Sequence, residues 1–555
     1  MKRALTPMLL VSLTSCGRNK ATDADLVITN AAVYTMDAAG SRAEAVGVRD
    51  GVIIVVGTAK EAKKVTGPET RVVDLGGEPL LPGFIDAHTH LIWSGTQLLD
   101  ADLYAAMSLG ELVEIIQATA EGRPDEPWVR GVGWDASIFE GMLDAGLLDL
   151  AVPDRPAYME SADSHSAWVN SLALDEAGIN AYTPDPEDGI IERDDAGQPT
   201  GILRESAMEL VSDLMPGWSE DQVDDGLQDA LAEANAVGVT TFIDAACEDW
   251  MLEGYQRAAD AGTLSGRVRC AVLVDPERGA EQIDEANALR ALYTGERVQV
   301  NAAKFYMDGV LESQTAYLLE PYVDGTNGEP GFDYATLIDL LEAFDGEGYQ
   351  VHAHAIGDAG VRQILDGLEA LSRTRGEKDR RPLLAHIELI DPDDTPRFAE
   401  LGAYADMQGL WAYPDPYITE LTIPVIGQER AKYLYPFGSL AEAGATMVAG
   451  SDWSVSSMNP WEAVEVAVTR RDPSDPDGDT LNPEQALTLE QVLVAYTRDG
   501  AKAAFLEEDI GTIAVGLRAD LVALDRDPFD IDVNALSDVA VTRTWVDGAQ
   551  VYGPE

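Results

Sequence analysis

A chain of 555 residues with 46% apolar content is too long for one ordinary hydrophobic core and too apolar for a disordered chain, so a large barrel-type domain with smaller attached pieces is expected. Its 38 Lys and Arg stand against 98 Asp and Glu, a formal net charge of -60, which excludes polyanionic partners such as nucleic acid or anionic lipid headgroups. The acidic runs at 472–479 and 185–189 read as solvated loops, because carboxylates are costly to bury, and the whole balance suits a saline medium whose counterions screen the self-repulsion.

The chain opens MKRALTPMLLVSLTSCG: two basic residues, a short apolar stretch, then small residues ending at Cys16. This is the layout of an export signal, too short to persist as a spanning helix. Leu13 to Cys16 resemble a bacterial lipoprotein cleavage and lipidation site. The expectation is therefore a signal and tether over 1–25, with the mature chain held at the cell envelope by acyl groups on Cys16. No later segment is apolar for long enough to cross a bilayer. Of three cysteines, Cys247 and Cys270 remain, and each lies in or beside an apolar strand-like run. Both are expected to be buried, unpaired thiols.

From 26 to 80 come the valine- and isoleucine-rich runs ADLVITNAAVYTMD, AEAVGVRDGVIIVVG and RVVDLGGEPL, separated by Gly or Asp turns. The same style returns over 506–555 in GTIAVGLRADLVALD and VTRTWVDGAQVY. Two half-sets of strands at opposite ends of a chain predict one small β-sandwich assembled from both termini.

Between them, over 81–505, strand-like runs alternate with helical segments at the spacing of parallel β/α units. Eight are legible: 81–88, 238–246, 266–275, 298–306, 349–355, 382–389, 402–409 and 445–452. They predict an α/β fold built on a closed (β/α)8 barrel, the TIM barrel. The first interval is too long for one crossover. Its own strand-like pieces, WVRGVGWD and RPAYMES, predict an inserted accessory lobe over about 100–225.

The chain has six histidines, and most of them fall at one address. His88 and His90 in PGFIDAHTH lie two apart at the end of the first barrel run, where an extended backbone points both to one side. His354 ends the fifth run, His386 lies near the end of the sixth, Asp452 ends the eighth, and Lys304 lies late in the fourth inside apolar surroundings. The C-terminal ends of barrel strands surround one cavity, where such folds place chemistry. Imidazoles with a carboxylate suit Zn2+ or another borderline divalent ion. A lysine ammonium has no lone pair to offer, so Lys304 joins such a set only if CO2 has carboxylated its amine into an anionic oxygen donor. The expectation is two metals held by His88, His90, Lys304, His354, His386 and Asp452, which together lower the pKa of a bridging water. Asp452 then shuttles the proton to the leaving nitrogen.

Taken together these motifs resemble the amidohydrolase superfamily, specifically the amidohydrolase-3 branch that includes N-substituted formamide deformylase and YtcJ-like proteins. In that resemblance PGFIDAHTH supplies His88 and His90, KFYMDGVLESQTAYLLEPY supplies Lys304, and VHAHAIGDAG maps the ligand to His354 and not to His352. LLAHIE supplies His386 and AGSDWSV supplies Asp452. The resemblance implies a metal-dependent hydrolase of carbon–nitrogen bonds acting on a small amide or formamide. His165 in DSHSAWVN lies in a segment like one of the branch, with Ser164 where glycine is usual, and is expected to grip the substrate carbonyl.

Trp134, Trp411, Tyr413 and Trp453 are candidate pocket walls. Asp308, Glu312 and Asp358 read as carboxylates supporting their loops, and His352, one layer deeper than His354, as an internal hydrogen-bonding residue. No glycine pattern for a nucleotide is present, and no GxSxG elbow surrounds Ser94, Ser164 or Ser451. Alternatives stay open: hydrolysis of an ester or a cyclic amide on the same site, or non-catalytic metal or solute binding by an envelope lipoprotein. Self-association is open as well, and the only membrane contact expected is the Cys16 anchor.

Overall fold

The computed structural model describes residues 23–554 apart from 105, 136–138, 140, 163, 164, 187 and 188. Cys16 with its export segment, and Ser164, therefore lie outside the described residues. Five short strands come first: β1 (Leu26–Tyr34), β2 (Arg42–Arg49), β3 (Val52–Gly57), β4 (Arg71–Asp74) and β5 (Pro79–Pro82). β6 (Phe84–Thr89) opens the barrel. Six strands of an inserted lobe follow: β7 (Ala101–Asp102), β8 (Val129–Trp134), β9 (Ala157–Ser161), β10 (Ser166–Val169), β11 (Gly189–Arg193) and β12 (Pro199–Glu205). The barrel resumes with β13 (Val239–Asp244), β14 (Arg267–Leu273), β15 (Val298–Tyr306), β16 (Gln350–Ala355), β17 (Leu383–His386), β18 (Tyr404–Met407) and β19 (Thr446–Ala449). β20 (Leu521–Leu524), β21 (Val541–Val546) and β22 (Ala549–Tyr552) end the chain.

β6 and β13 to β19 form one eight-stranded sheet in chain order, every neighbouring pair parallel. The two ends of this sheet meet where Asp452 N donates to His88 O at 2.7 Å, so the barrel is nearly closed. Gly450 permits that approach: a Cβ there would sit 2.6 Å from His88 N. Strands covered on both faces read as continuous apolar runs rather than alternating ones, and all six residues of β13 are buried. The connecting helices carry ordinary stop and start signals. Asp333 caps helix Tyr334–Glu347 by accepting from Ala335 N and Thr336 N, and Gly348 ends it at φ 82°.

The first barrel run is shorter than its sequence suggests. Leu80, Leu81 and Pro82 pair with β20 instead, the chain crosses at Gly83, whose N donates to Asp520 O at 2.8 Å, and barrel pairing begins at Phe84. β5 thereby joins the two ends of the chain in one sheet of order β22-β21-β20-β5-β1-β2-β3, with β4 on β1. Ile28, Val46, Ile53 and Leu80 from the first end pack with Leu521 and Trp545 from the last. Arg267 of β14 pairs with Asp520 and Asp547 and fastens this layer to the barrel.

The lobe is a six-stranded sheet of order β11-β12-β10-β9-β8-β7. Its side chains alternate between two apolar layers: Trp134, Met159 and Trp168 lie in one, Tyr158, Val169 and Leu203 in the other. Helices Leu91–Gln97 and Glu220–Ala236 bracket the insertion and cross at glycines, since a Cβ on Gly95 would lie 2.4 Å from Gly226 O. Among the described residues no helix is long and apolar enough to cross a membrane.

Cys247 and Cys270 are buried, as expected, but they form a disulfide, which corrects the reading of two free thiols. The cause is local: the turn after β13 folds onto β14, Cys247 N donates to Ala271 O at 2.8 Å, and the two Cα atoms come to 5.7 Å. That separation lies within the range a disulfide requires.

Candidate metal centre

Parallel register places the ligand-type residues at matching heights. Lys304 is level with His352, Tyr306 with His354 and Ala355 with His386. His88 closes on its neighbours through both ring nitrogens. Nε2 lies 3.3 Å from Lys304 Nζ and 3.5 Å from Asp452 Oδ1; Nδ1 lies 2.9 Å from His352 Nε2 and 3.7 Å from Asp406 Oδ2. His90 Nε2 stands 3.4 Å and His386 Nδ1 3.9 Å from the Asp452 carboxylate. The His354 and His386 rings are 4.6 Å apart, and the His386 ring stacks on Trp411 at 5.4 Å. His354 Nε2 lies 3.1 Å from Gly309 O, which leaves Nδ1 as its remaining nitrogen.

Two groups have ligand atoms all within 4.8 Å of one another: His88, His90 and Asp452, and deeper in the barrel His88, His352 and Asp406. Their chemistry fits a divalent cation. His386 Nδ1, His352 Nδ1, Asp452 Oδ1 and both oxygens of Asp406 are buried with no hydrogen-bond partner among the described residues, a condition polar atoms rarely tolerate. A neutral imidazole carries one N–H, so His88 bound through Nε2 keeps Nδ1–H for His352 or Asp406. The inner pair then orients the ring.

The loops that carry these residues are held by buried carboxylates. Asp86, two residues before His88, accepts from Ser451 Oγ at 2.5 Å, Ser451 N at 2.9 Å and His88 N at 3.2 Å. It thus ties β6 to the loop bearing Asp452. Asp308 accepts from Tyr317 N, Ile356 N and Gly357 N at 2.8–3.0 Å, and Asp358 accepts from Leu319 N at 2.8 Å. Asp452, His386 and Ile387 adopt φ of 53°, 72° and 43°, left-handed conformations that side chains other than glycine enter only when their surroundings hold them there.

Burial dominates the electrostatics. It pushes Asp86 and Asp308 up to about 7, brings Lys304 down to about 8, and, with Lys304 nearby, brings His354 down to about 4. Neutral imidazoles are the state that binds metal. Burial also opposes ionisation of Asp452, but His90, His386 and Lys304 around it prevail and hold it at about 2. Burial and the neighbouring Glu312 push Glu388 well above the carboxylate range.

A cavity of about 570 Å3 opens beside this centre, lined among others by His354, His386, Asp452, Trp411 and Tyr413. Two of the candidate wall residues lie elsewhere. Trp134 is a core residue of the lobe, its indole donating to Met159 O at 2.9 Å. Trp453 is buried in the barrel core, where its carbonyl accepts from His90 N and Ser94 Oγ. His165 stands on the lobe with its side chain 67% exposed and Nδ1 3.1 Å from Glu205. Asp86, Asp406 and Glu388 went unnoticed in the sequence. Strand parity points to Asp86, two residues before His88 on β6, but not to Glu388, which follows His386 across two left-handed residues.

The profile of the Amidohydrolase family matches residues 71–552. The chain belongs to the amidohydrolase family. It is similar to YtcJ of Bacillus subtilis (strain 168), 33% identical over 534 residues that cover 94% of this chain and 98% of the relative. N-substituted formamide deformylase of Arthrobacter pascens is 29% identical over 554 residues, 95% and 98% of the two chains. Uncharacterized metal-dependent hydrolases from Pyrococcus horikoshii OT3 and Pyrococcus furiosus share the fold, with TM-scores of 0.76 and 0.75 at 24% and 23% identity. Those superpositions cover 92% and 91% of this chain and 99% and 100% of theirs. This amidohydrolase is a metal-dependent enzyme of the superfamily that acts on carbon–nitrogen bonds.

Proposed function

We propose that the enzyme hydrolyses a small amide or N-substituted formamide. The observation that carries the reading is the convergence of ligand atoms of His88, His90 and Asp452 within 4.8 Å of one another, with Asp452 lining a cavity that His354 and His386 also line. The name of the Arthrobacter pascens relative supports a formamide as substrate. Zn2+ suits the donors, with His88, His90, Asp452, His354 and His386 holding it and Lys304, carboxylated by CO2, completing the set for two ions. When bound, the metal supplies Lewis acidity toward the carbonyl and brings a water's proton within reach of a carboxylate at neutral pH.

The chain's own groups do the rest. Asp452 Oδ1, ionised and without an aligned donor, takes a proton from the attacking water and returns it to the leaving nitrogen. Asp86 and Ser451 keep Asp452 against His88. Trp411 and Tyr413 exclude water from the apolar part of the substrate. His165 is assigned to the substrate carbonyl on the resemblance of its segment. Asp452→Asn is expected to retain metal by elemental analysis while hydrolysis of a panel of N-formyl and N-acyl amines falls about a thousandfold. Unchanged turnover in that variant would overturn the role of Asp452, and no turnover of any panel member by the zinc-loaded wild type would overturn the function. We also propose export and anchoring through Cys16, which the disulfide supports because such bonds persist in oxidising compartments. Fatty-acid labelling lost in Cys16→Ser checks it.

A further inference from the structure

Beyond the histidines, the cavity wall carries three more carboxylates, Glu312, Glu388 and Asp415, interleaved with the aromatic rings of Trp411, Tyr417 and Tyr435. Glu388 is only 3% exposed, and its Oε2, like Oε2 of Glu312, is buried with no hydrogen-bond partner among the described residues. Asp415 has one oxygen engaged, accepting from Ile418 N at 2.8 Å. Among the described residues no lysine or arginine lines the cavity.

Among the described residues the Oε2 atoms of Glu312 and Glu388 are unpartnered acceptors in a low-dielectric wall, and the partner that suits such oxygens best is a positive charge placed among them. A lone metal ion is a poor candidate for that charge. Among the described residues, ligand atoms within 4.8 Å of one another occur only in the two histidine–aspartate groups, so the three wall carboxylates are spread too far for one ion. An organic cation has the right dimensions, and the rings suit it, because aromatic faces attract ammonium groups by their quadrupole.

We propose that this wall is the subsite for an ammonium group carried by the substrate, so that the scissile amide belongs to a molecule bearing a fixed or protonated amine a few bonds away. The amide half of the statement rests on the function proposed above; the cation half rests on the wall alone. Tyr435 donates to the Glu388 side chain, and amides without a positive charge leave Oε2 of Glu312 and of Glu388 without a partner, which gives the pocket its discrimination. The chain's net charge of -60 raises the local concentration of such cations around the mouth.

Choline and its neutral isostere 3,3-dimethylbutan-1-ol separate the cation from its shape. Calorimetric titration of the full chain with each, in 1 M NaCl to screen diffuse attraction, is expected to show choline binding at least tenfold tighter. Glu388→Gln and, separately, Glu312→Gln are each expected to weaken choline tenfold or more and leave the alcohol unchanged, with thermal melting verifying the fold. Equal affinity of the two compounds for wild type, which needs no variant, overturns the proposal, as does a choline preference that survives both substitutions. The two readings fail separately. Choline selectivity without turnover of any formyl or acyl amine sinks only the hydrolase reading, whereas faster turnover of an uncharged N-formyl alkylamine than of its ω-ammonium analogue sinks only the subsite.

Discussion

At Lys304, burial works against charge. The side chain is 1% exposed, its Nζ faces an imidazole nitrogen at 3.3 Å, and its ammonium is brought down to about 8. Only the neutral amine adds CO2, and below its pKa the neutral fraction falls tenfold for each pH unit. If the proposed carboxylation occurs, metal- and CO2-stripped protein regains activity with bicarbonate about fiftyfold faster at pH 8 than at pH 6 at equal dissolved CO2. Mass spectrometry of the native protein reads the added mass directly, and recovery indifferent to both pH and bicarbonate would remove the modification from the account. Residues of this kind stood out in the sequence because charged and imidazole side chains are rare inside apolar strands. Asp406 did not, although it is fully buried, because a single aspartate inside a strand gives no hint of which strand will face it. Trp134 belongs to the lobe, as its sequence predicts, but packs in the lobe core with its indole donating to Met159 O and not in a pocket wall, because an aromatic residue at a strand end reads equally well as either.

Between elements, the Cys247–Cys270 bond joins the turn after β13 to β14 across 23 residues of sequence. The chain it closes includes helix Asp249–Ala261 and the first residues of β14. Loop closure over that length stabilises by about 3 kcal/mol. The double variant Cys247→Ala/Cys270→Ala should therefore lose about that much in urea unfolding, and reduced wild type should match it. A loss below about 0.5 kcal/mol would show that the parallel pairing of β13 with β14 holds the turn alone. Adjacency of the two strands was legible from their order in the barrel. The bond was not, because it depends on how far the turn folds back, and apolar flanks read equally well as burial of a free thiol. Gly83 marks a similar boundary. The run 81–88 is continuous in hydrophobicity, so only the space beside Thr240, where a Cβ on Gly83 would come within 2.4 Å of Oγ1, reveals that one sheet ends there and another begins.

For the whole molecule, the eightfold β/α rhythm was enough to read the barrel, and the strand-rich ends enough to read a shared sheet, since both depend on periodicity that survives local errors. What charge does to such a fold follows from the same composition. A net -60 distributes repulsion over the surface, and each acidic loop adds to it. At 0.1 M ionic strength the Debye length is about 10 Å, so neighbouring carboxylates still interact; at 1 M it is about 3 Å and they do not. The unfolded chain spreads the same charges farther apart, so screening favours the folded state. Buried pairs such as Arg267 with Asp520 are screened far less and remain. The melting temperature is accordingly expected to rise by about 5 °C or more between 0.1 and 2 M NaCl. Exclusion of solutes from protein surfaces also stabilises compact states, so an uncharged osmolyte at equal osmolality is the control. If the osmolyte raised the melting temperature as much as the salt, or if salt left it unchanged, self-repulsion would not be what sets the stability of this acidic surface.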